Sequence, residues 1–599
     1  MESNDRTPHT RQSRHTHATH PTHPTRHAHP TQDPRQLPGT RPGGSGGPGG
    51  PGGRTGATPI PAAPAAPAAP ATPATPSALA ELVRQTRGPV LVPGGEGYDA
   101  ERSGFQRAYR HRPDVIVGAE CAGDVVAAVR FARAQGLPVA VQATGHGLSA
   151  AADGGLLIST RRMAGVRVDA AAGSARAEAG VVWGQVVEAA APHGLAPLNG
   201  SSPGVGVISY TLGGGVGVLA RTYGFAADQV RSVDLVTADA RQLHVTADSD
   251  PELFRALLGG GHGLGVVTAM EFGLVPVARL YGGQLVFGGE RIDEALAAYL
   301  RWTETVPDEL TSSLALIAYP DLAQLPEPLR GRYLAQIRIA YTGSAEEGER
   351  LVAPLRAVGP RVSDELREMP YADSHTIHRD PSDPHAYDGD NALLSGLDVD
   401  ALHRVAVLTG PDAPTMCVLQ LNHLGGAMAK RGGPEEVAGS VGHRDARFAL
   451  RLLSPLPGAE AGDGLGADTG DDRGADDLGA DGPGDGGTGA RGRGADGRGS
   501  GEAASEGPGA ALAAVRALHA EALAAVAPWR IGRSVNFLFG SHGERPDAAE
   551  VARSVHDADE HRRLAGLKAH HDPENVFRFH PSGAATADRT PSAVTTVRG

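Results

Sequence analysis

The sequence predicts an α+β fold with mixed sheets. Three observations carry that prediction. Helical and strand patterns alternate along most of the chain, which fits neither an all-helical bundle nor an all-strand sandwich. The two periods are both well formed: Asp124-Val-Val-Ala-Ala-Val-Arg-Phe-Ala-Arg-Ala-Gln-Gly136 has apolar residues three and four apart, whereas Tyr333-Leu-Ala-Gln-Ile-Arg-Ile-Ala-Tyr341 alternates as a half-buried strand does. No Gly-x-Gly-x-x-Gly joins a first strand to a helix with an acid about 20 residues on, so the fold is not the nicotinamide-binding type.

The folded part starts near Ala78. The helix over Asp124–Gly136 stops at its glycine, and Pro138 releases the chain into a short buried strand from Val139. Gly155-Leu-Leu-Ile-Ser159 is a second buried strand, and Val166–Asp169 and Ser174–Glu178 form a hairpin. Val182–Ala191 is helical and ends at His193-Gly194. Ser249-Asp-Pro-Glu252 has the spacing of a capping box before a helix, and Ala269–Val275 is a strand. Beyond residue 280, Ile292–Trp302 is helical, Thr415–Asn422 is a strand, and Ala510–Ala527 is a covering helix before Trp529-Arg-Ile531.

At 599 residues the chain holds two or three domains, but not all of it can fold. Residues 1–77 are His, Pro, Thr, Gly and Ala with few large apolar side chains, and residues 458–508 are Gly, Asp, Ala and Arg. Neither stretch buries enough apolar surface to offset its ordering entropy, so both are expected to be disordered, as are residues 584–599. The tail's histidines have no fixed geometry, so no specific metal site is expected. The net charge of −13 argues against nucleic acid as a partner. No run of eighteen apolar residues suggests a membrane span, and the basic start lacks the apolar stretch of a secretory signal. The two cysteines, Cys121 and Cys417, fit a reducing compartment and set up no disulfide framework, so a cytoplasmic location is expected.

The motifs lie in glycine-rich turns. Val139-Ala-Val-Gln-Ala-Thr-Gly-His-Gly-Leu-Ser-Ala150 runs from a strand into a turn where Gly145 and Gly147 flank His146, so backbone can come close to a planar or anionic ligand. Asn199-Gly-Ser-Ser-Pro-Gly-Val-Gly-Val207, Thr211-Leu-Gly-Gly-Gly-Val-Gly217 and Leu258-Gly-Gly-Gly-His-Gly-Leu-Gly-Val-Val-Thr268 follow, with Arg221-Thr-Tyr-Gly-Phe-Ala-Ala-Asp228 between. Such clusters expose main-chain N–H groups that can cradle a diphosphate. Near the end stand Val535-Asn536-Phe537, Arg563-Leu-Ala-Gly-Leu-Lys568 and Asp572-Pro-Glu-Asn-Val-Phe-Arg578. Taken alone, Asp572-Pro573 is equally an ordinary helix start, with Asp as cap and Pro at the first helical position.

In their order and content these motifs resemble the FAD-linked oxidases of the vanillyl-alcohol-oxidase and p-cresol-methylhydroxylase (PCMH) type, in the branch near berberine bridge enzyme. The resemblance implies a PCMH-type FAD-binding domain of two subdomains over residues 78–279 (core 109–279) and an antiparallel-sheet substrate domain over 280–528. A C-terminal segment, 529–583, returns to the FAD domain. It implies FAD as cofactor, bound by Thr144, Gly145, His146, Gly147, Ser149, Ser201, Ser202, Gly206, Gly213, Gly214, Gly215, Gly217, Gly265, Val266, Val267, Asn575 and Phe577, with His146 bonded to the flavin 8α carbon. Where some relatives have a cysteine that makes a second bond, this chain has Ser202, so one covalent link at most is expected.

The activity implied is hydride removal from an alcohol, an amine or a ring C–H of a small molecule such as a secondary metabolite or sugar, with dioxygen as acceptor. The alternatives are a non-oxygen acceptor, or a flavin-binding protein of the same fold without turnover. The base is unassigned, because the tyrosine usual two residues before the matched Asn536 is Ser534 here. Gln420, Asn422 and Asn536 are candidate contacts to substrate or flavin, and His423 is a candidate base.

Overall fold

In the computed structural model the described residues are 75–148, 151–261, 263–323, 325–430, 439–456, 508–539 and 548–579. Their strands form three sheets. The first is built from β1 (Val90–Leu91), β2 (Val115–Gly118), β3 (Val139–Gln142) and β4 (Leu156–Ser159) in the order β1-β2-β4-β3. Its three longer strands are parallel. They are short and almost wholly apolar, as buried parallel strands must be. Between β2 and β3 runs the helix Ala122–Ala134, which ends ahead of Gly136 (φ +66°). The chain then enters β3, whose C-terminal end delivers the turn that carries His146.

The second sheet has β5 (Val166–Asp169), β6 (Ser174–Glu178), β7 (Val230–Val236), β8 (Gln242–Val245) and β9 (Val266–Gly273), ordered β5-β6-β9-β7-β8, all antiparallel. β5 and β6 form the hairpin expected from the sequence. The helix Pro251–Leu257 is capped one residue later than expected: the Asp250 side chain accepts from Leu253 N at 3.0 Å. Ser249 Oγ accepts from Thr246 N instead, so the Ser249–Glu252 capping box does not form. The first helix starts at Pro76 with Thr75 as cap, so residues 75–77 join the ordered part rather than the tail.

The third sheet has nine strands: β10 (Arg279–Gly288), β11 (Leu310–Ala318), β12 (Tyr333–Tyr341), β13 (Ser363–Asp364), β14 (Arg367–Pro370), β15 (Tyr387–Leu394), β16 (Val418–His423), β17 (Phe448–Pro455) and β18 (Arg530–Gly532). Its main path is β13-β10-β12-β11-β16-β17-β15-β18, with antiparallel pairing throughout. Alternation divides the faces. Leu285, Phe287, Leu314, Leu316, Ile337, Ile339, Leu419, Leu421, Leu450 and Leu452 form one apolar core with side chains of the helices Ile292–Thr303, Ala345–Arg356, Val399–Leu408 and Pro508–Ala525. Each such side chain contributes roughly 1.5–3 kcal/mol when fully buried. Gln336, Ser313, Gln420, Asn422 and Arg451 share the opposite, polar face, because cross-strand partners point the same way.

Among the described residues no helix is long and apolar enough to cross a membrane. Ser149, most of residues 1–77, residues 458–507 and residues 584–599 lie outside the described residues.

Candidate active site

The turn after β3 is held from two sides. Gly145 is left-handed (φ +71°), and its backbone packs against that of Gly104: a Cβ on Gly104 would stand 2.8 Å from Gly145 Cα. Phe105 N donates to Thr144 O (2.8 Å) and Gln106 N to Gly145 O (3.1 Å). From the third sheet, Tyr387 OH donates to His146 O at 2.7 Å. The Phe105 ring stacks on the imidazole with centroids 3.8 Å apart and planes 13° apart. The main chain and one face of the ring are thus fixed, while a Cβ on Gly147 would meet nothing within 4 Å.

His146 joins two cavities. The larger, about 1040 Å³, is a cleft lined by His146, Ser201, Ser202, Gly204, Phe105, Arg379 and Asp380 among others. The smaller, about 160 Å³, is bounded by residues 139–148, Gly206, Ile208, Ser209, Leu212, Gly261, Gly263, Leu264, Gly265, Val266, Val267 and Phe577. His146 Nδ1 lies 2.9 Å from Thr144 Oγ1, and Nε2 is buried without a hydrogen-bond partner. Burial first, and then the neighbouring His385, push its pKa down to about 4, against a smaller opposing pull from Asp380. The ring is therefore neutral near pH 7, with a nitrogen lone pair free to bond.

The C-terminal block closes the smaller cavity. Asp572 ends the helix Ala558–His571 instead of starting one. Its carboxylate accepts from Val576 N and Phe577 N, each at 2.8 Å, and pairs with Lys568. Lys568 Nζ also donates to Gly263 O and Phe577 O, each at 2.9 Å. One buried ion pair thus clamps both the glycine loop and Phe577. Gly261 and Gly263 have φ of +84° and +103°, which side chains other than glycine rarely adopt. Asn575 is left-handed at φ +51°, and its buried Oδ1 has no partner.

Not every expected residue faces a cavity. Gly213–Gly217 line neither large cavity. Gly213 packs under Asn536, Gly214 beside Val441, Gly215 against Tyr210 and Ala226, and Gly217 against the backbone of Asn199. They are close-packing glycines that let the turn nest under other elements. Asn536 Nδ2 donates to Tyr210 O at 2.9 Å, so its amide ties the C-terminal segment to the same turn. His423 shares the core face of β16 with Leu419 and Leu421, away from Gln420 and Asn422. Its Nε2 lies 3.1 Å from Arg221 NH1, and burial and that guanidinium hold its pKa near 3. Placed there, His423 is a structural partner of Arg221 and not a base. Gln420 Nε2 donates to Asn422 Oδ1 (3.2 Å) on the polar face. Phe105, Tyr387 and Asp380 carry no sequence signal that marks them as parts of this site, and Lys568 stands out only within its motif. Parity along β15 puts Tyr387 on the polar face with Asn391, but the Phe105–His146 stack depends on the tertiary fold.

Residues 113–246 match the FAD binding domain family. The chain is 32% identical over 296 residues to (R)-6-hydroxynicotine oxidase of Paenarthrobacter nicotinovorans, a stretch covering 48% of this chain and 61% of that enzyme. Among solved structures, 6-hydroxy-D-nicotine oxidase from Arthrobacter nicotinovorans superposes with a TM-score of 0.65 at 24% identity, covering 83% of this chain and 97% of that one. Berberine bridge enzyme from Eschscholzia californica superposes with a TM-score of 0.65 at 17% identity, covering 85% and 98%. The chain therefore carries an FAD-binding domain, and its α+β fold is that of the FAD-linked oxidases with a PCMH-type FAD-binding domain, the berberine-bridge-like branch included.

The site fits that cofactor on its own geometry. The buried, unpartnered Nε2 of a neutral His146 has the chemistry of an 8α-histidyl donor. The smaller cavity is lined by the Gly145–Gly147 turn, the Gly263–Gly265 loop and the start of β9, and glycines at such places can present main-chain N–H groups to a diphosphate.

Proposed function

We propose that the protein is an FAD-linked oxidoreductase that holds FAD through a single covalent bond to His146 and oxidises a small molecule at a C–H next to an O–H or N–H, or at a ring carbon. The observation that carries the reading is the position of His146, neutral and half-buried where the two cavities meet, inside a matched FAD-binding domain. Thr144, Gly145, Gly147, Gly206, Gly265, Val266, Val267 and Phe577 are proposed to line the cofactor along the smaller cavity, and Ser201 and Ser202 at the cleft. Ser202 has a hydroxyl where a second, thioether link would need a sulfur, so one bond is expected.

Held at His146, FAD would supply a two-electron hydride acceptor for the substrate carbon, with the substrate's O–H or N–H proton released and dioxygen as the terminal acceptor, reduced to hydrogen peroxide. The chain's own residues position and desolvate. Gln420 and Asn422 present amides from the polar face of the third sheet, where they can orient the substrate's O–H or N–H. Phe105 and Tyr387 brace the His146 turn so that its imidazole does not swing. The nicotine oxidase relative is named for a cyclic amine, which favours including amines in the first substrate panel. A cytoplasmic location accompanies the reading, with Cys121 and Cys417 both free.

The test is turnover. Purified protein is mixed anaerobically with a panel of amines, alcohols and sugars, and flavin absorbance is followed. Air is then admitted and peroxide is measured. Bleaching by a panel member followed by stoichiometric peroxide supports the reading. Bleaching without peroxide on aeration assigns a different acceptor, and a flavin that no donor bleaches favours binding without turnover.

A further inference from the structure

The polar face of the third sheet carries two guanidinium groups for which the expected reaction gives no role. Arg338, on β12, is 5% exposed; Arg451, on β17, pairs across the sheet with Gln420. Arg338 NH2 donates to Gln336 Oε1 at 2.7 Å, and its Nε is buried without a partner. Arg451 lies over the Phe537 ring, 3.8 Å from the centroid, and its Nε is likewise buried and unpartnered. Among the described residues neither guanidinium has a carboxylate within ion-pair distance.

Other charged and titratable groups face them. Asp380 acts on both at longer range, and Ser201 Oγ donates to its carboxylate. His378 stands beside Asp380, with its pKa held near 3 by burial and by both arginines, so it adds no charge at neutral pH. Tyr210 and Tyr387 lie near Arg451, and burial keeps both phenols protonated. The tally is two cations against one anion, with the Nε of each guanidinium buried. A buried guanidinium N–H with no acceptor is costly, and a planar oxyanion matches the fork of N–H donors. Burial pushes the Arg451 pKa down to about 10, with Arg338 adding to the effect and Asp380 opposing it; it remains a cation at neutral pH.

The flavin ring in its oxidised state is neutral, so the missing counter-charge is assigned to the substrate. We infer that Arg451, supported by Arg338, is a specificity-determining residue that binds an anionic oxygen group, a carboxylate above all, on the substrate. This rests on the proposed flavin site and names the substrate class it takes. Arg451 is on the same face as Gln420, so a substrate anchored there presents its reactive end to the amides of Gln420 and Asn422.

The experiment is an equilibrium titration of the flavin-loaded protein with benzoate and with benzamide, a neutral near-isostere, read by perturbation of the flavin absorbance. The expected result is benzoate binding at least about tenfold tighter than benzamide, as a charge-assisted hydrogen bond implies. Arg451→Met is expected to abolish that preference while holding its flavin and melting within a few degrees of the parent, and Arg451→Lys to retain part of it. Equal affinities, no binding of either probe, or a preference that survives Arg451→Met and Arg338→Gln would overturn the inference. So would a variant whose flavin potential shifts without a change in the preference, since the arginine would then serve the flavin. A preparation that takes up no flavin refutes the proposed function itself, a result distinct from all of these.

Discussion

Replacing Lys568 with methionine tests how the C-terminal block builds the cofactor cavity. Lys568 and Asp572 are 5% and 2% exposed, and the Lys568 ammonium holds the Asp572 carboxylate and the carbonyls of Gly263 and Phe577. Methionine keeps the length of the side chain but leaves those three oxygens without their donor. Breaking a buried pair by removing one partner costs about 3–5 kcal/mol. Asp572 still accepts from Val576 N and Phe577 N, so the lower end, about 3 kcal/mol, applies. In a body of this size that is a melting shift on the order of 5 °C. Because the clamp holds the glycine loop against Phe577, flavin retention should fall together with the melting temperature. The assay is thermal unfolding alongside the flavin-to-protein absorbance ratio, for Lys568→Met, Asp572→Asn and the double variant. The double variant should recover part of the loss, since it no longer buries an unpaired carboxylate. A Lys568→Met protein that melts within about 1 °C of the parent, with full flavin, would show that the clamp does not hold the cavity.

Further outcomes follow from the same geometry. Gly104→Ala puts a methyl 2.8 Å from Gly145 Cα and 2.9 Å from Gln142 Oε1; it should destabilise by about 1–3 kcal/mol and lower flavin content, checked by melting and absorbance. His423→Asn should lower stability through the lost Arg221 contact yet leave kcat within about twofold, because the side chain faces the core. A loss of kcat above tenfold in folded protein would restore His423 as the base. Burial holds His111 and His556 at about 4, against 6.5 unperturbed, so both are neutral when folded. Between about pH 6.5 and 4 the unfolded chain binds the extra protons, and stability falls as pH drops through that window. For His111, 2% exposed and accepting from Ala152 N, the loss by pH 5 is about 2 kcal/mol, checked by melting at pH 7 and pH 5 and by its relief in His111→Gln.

The hairpin of β5 and β6, the helix before β3, and β12 were legible because local period and turn chemistry decide them. The His146 turn was legible as a motif, since two glycines around one histidine state that something approaches. What approaches was not. The Gly213–Gly217 run carries the same local signal as the Gly263–Gly265 loop, but one admits Tyr210 and Asn536 while the other lines a cavity. Glycine records a need for space and not the identity of what fills it. His423 could have been placed by parity, since Leu419, Leu421 and His423 share one face. The same parity sets Gln336 with Arg338, and Gln420 with Arg451, on the other face. Phe105 on His146, and Lys568 on Gly263, join segments far apart in sequence, and no local pattern encodes such pairs.

His146 is proposed to carry the flavin. The most direct test is the visible absorbance of protein precipitated in acid, washed and redissolved in denaturant, for the parent chain and for His146→Ala. The parent pellet should stay yellow, the His146→Ala pellet should be white, and the His146→Ala supernatant should hold any flavin the protein had bound. A white parent pellet, or a yellow one from His146→Ala, would contradict it.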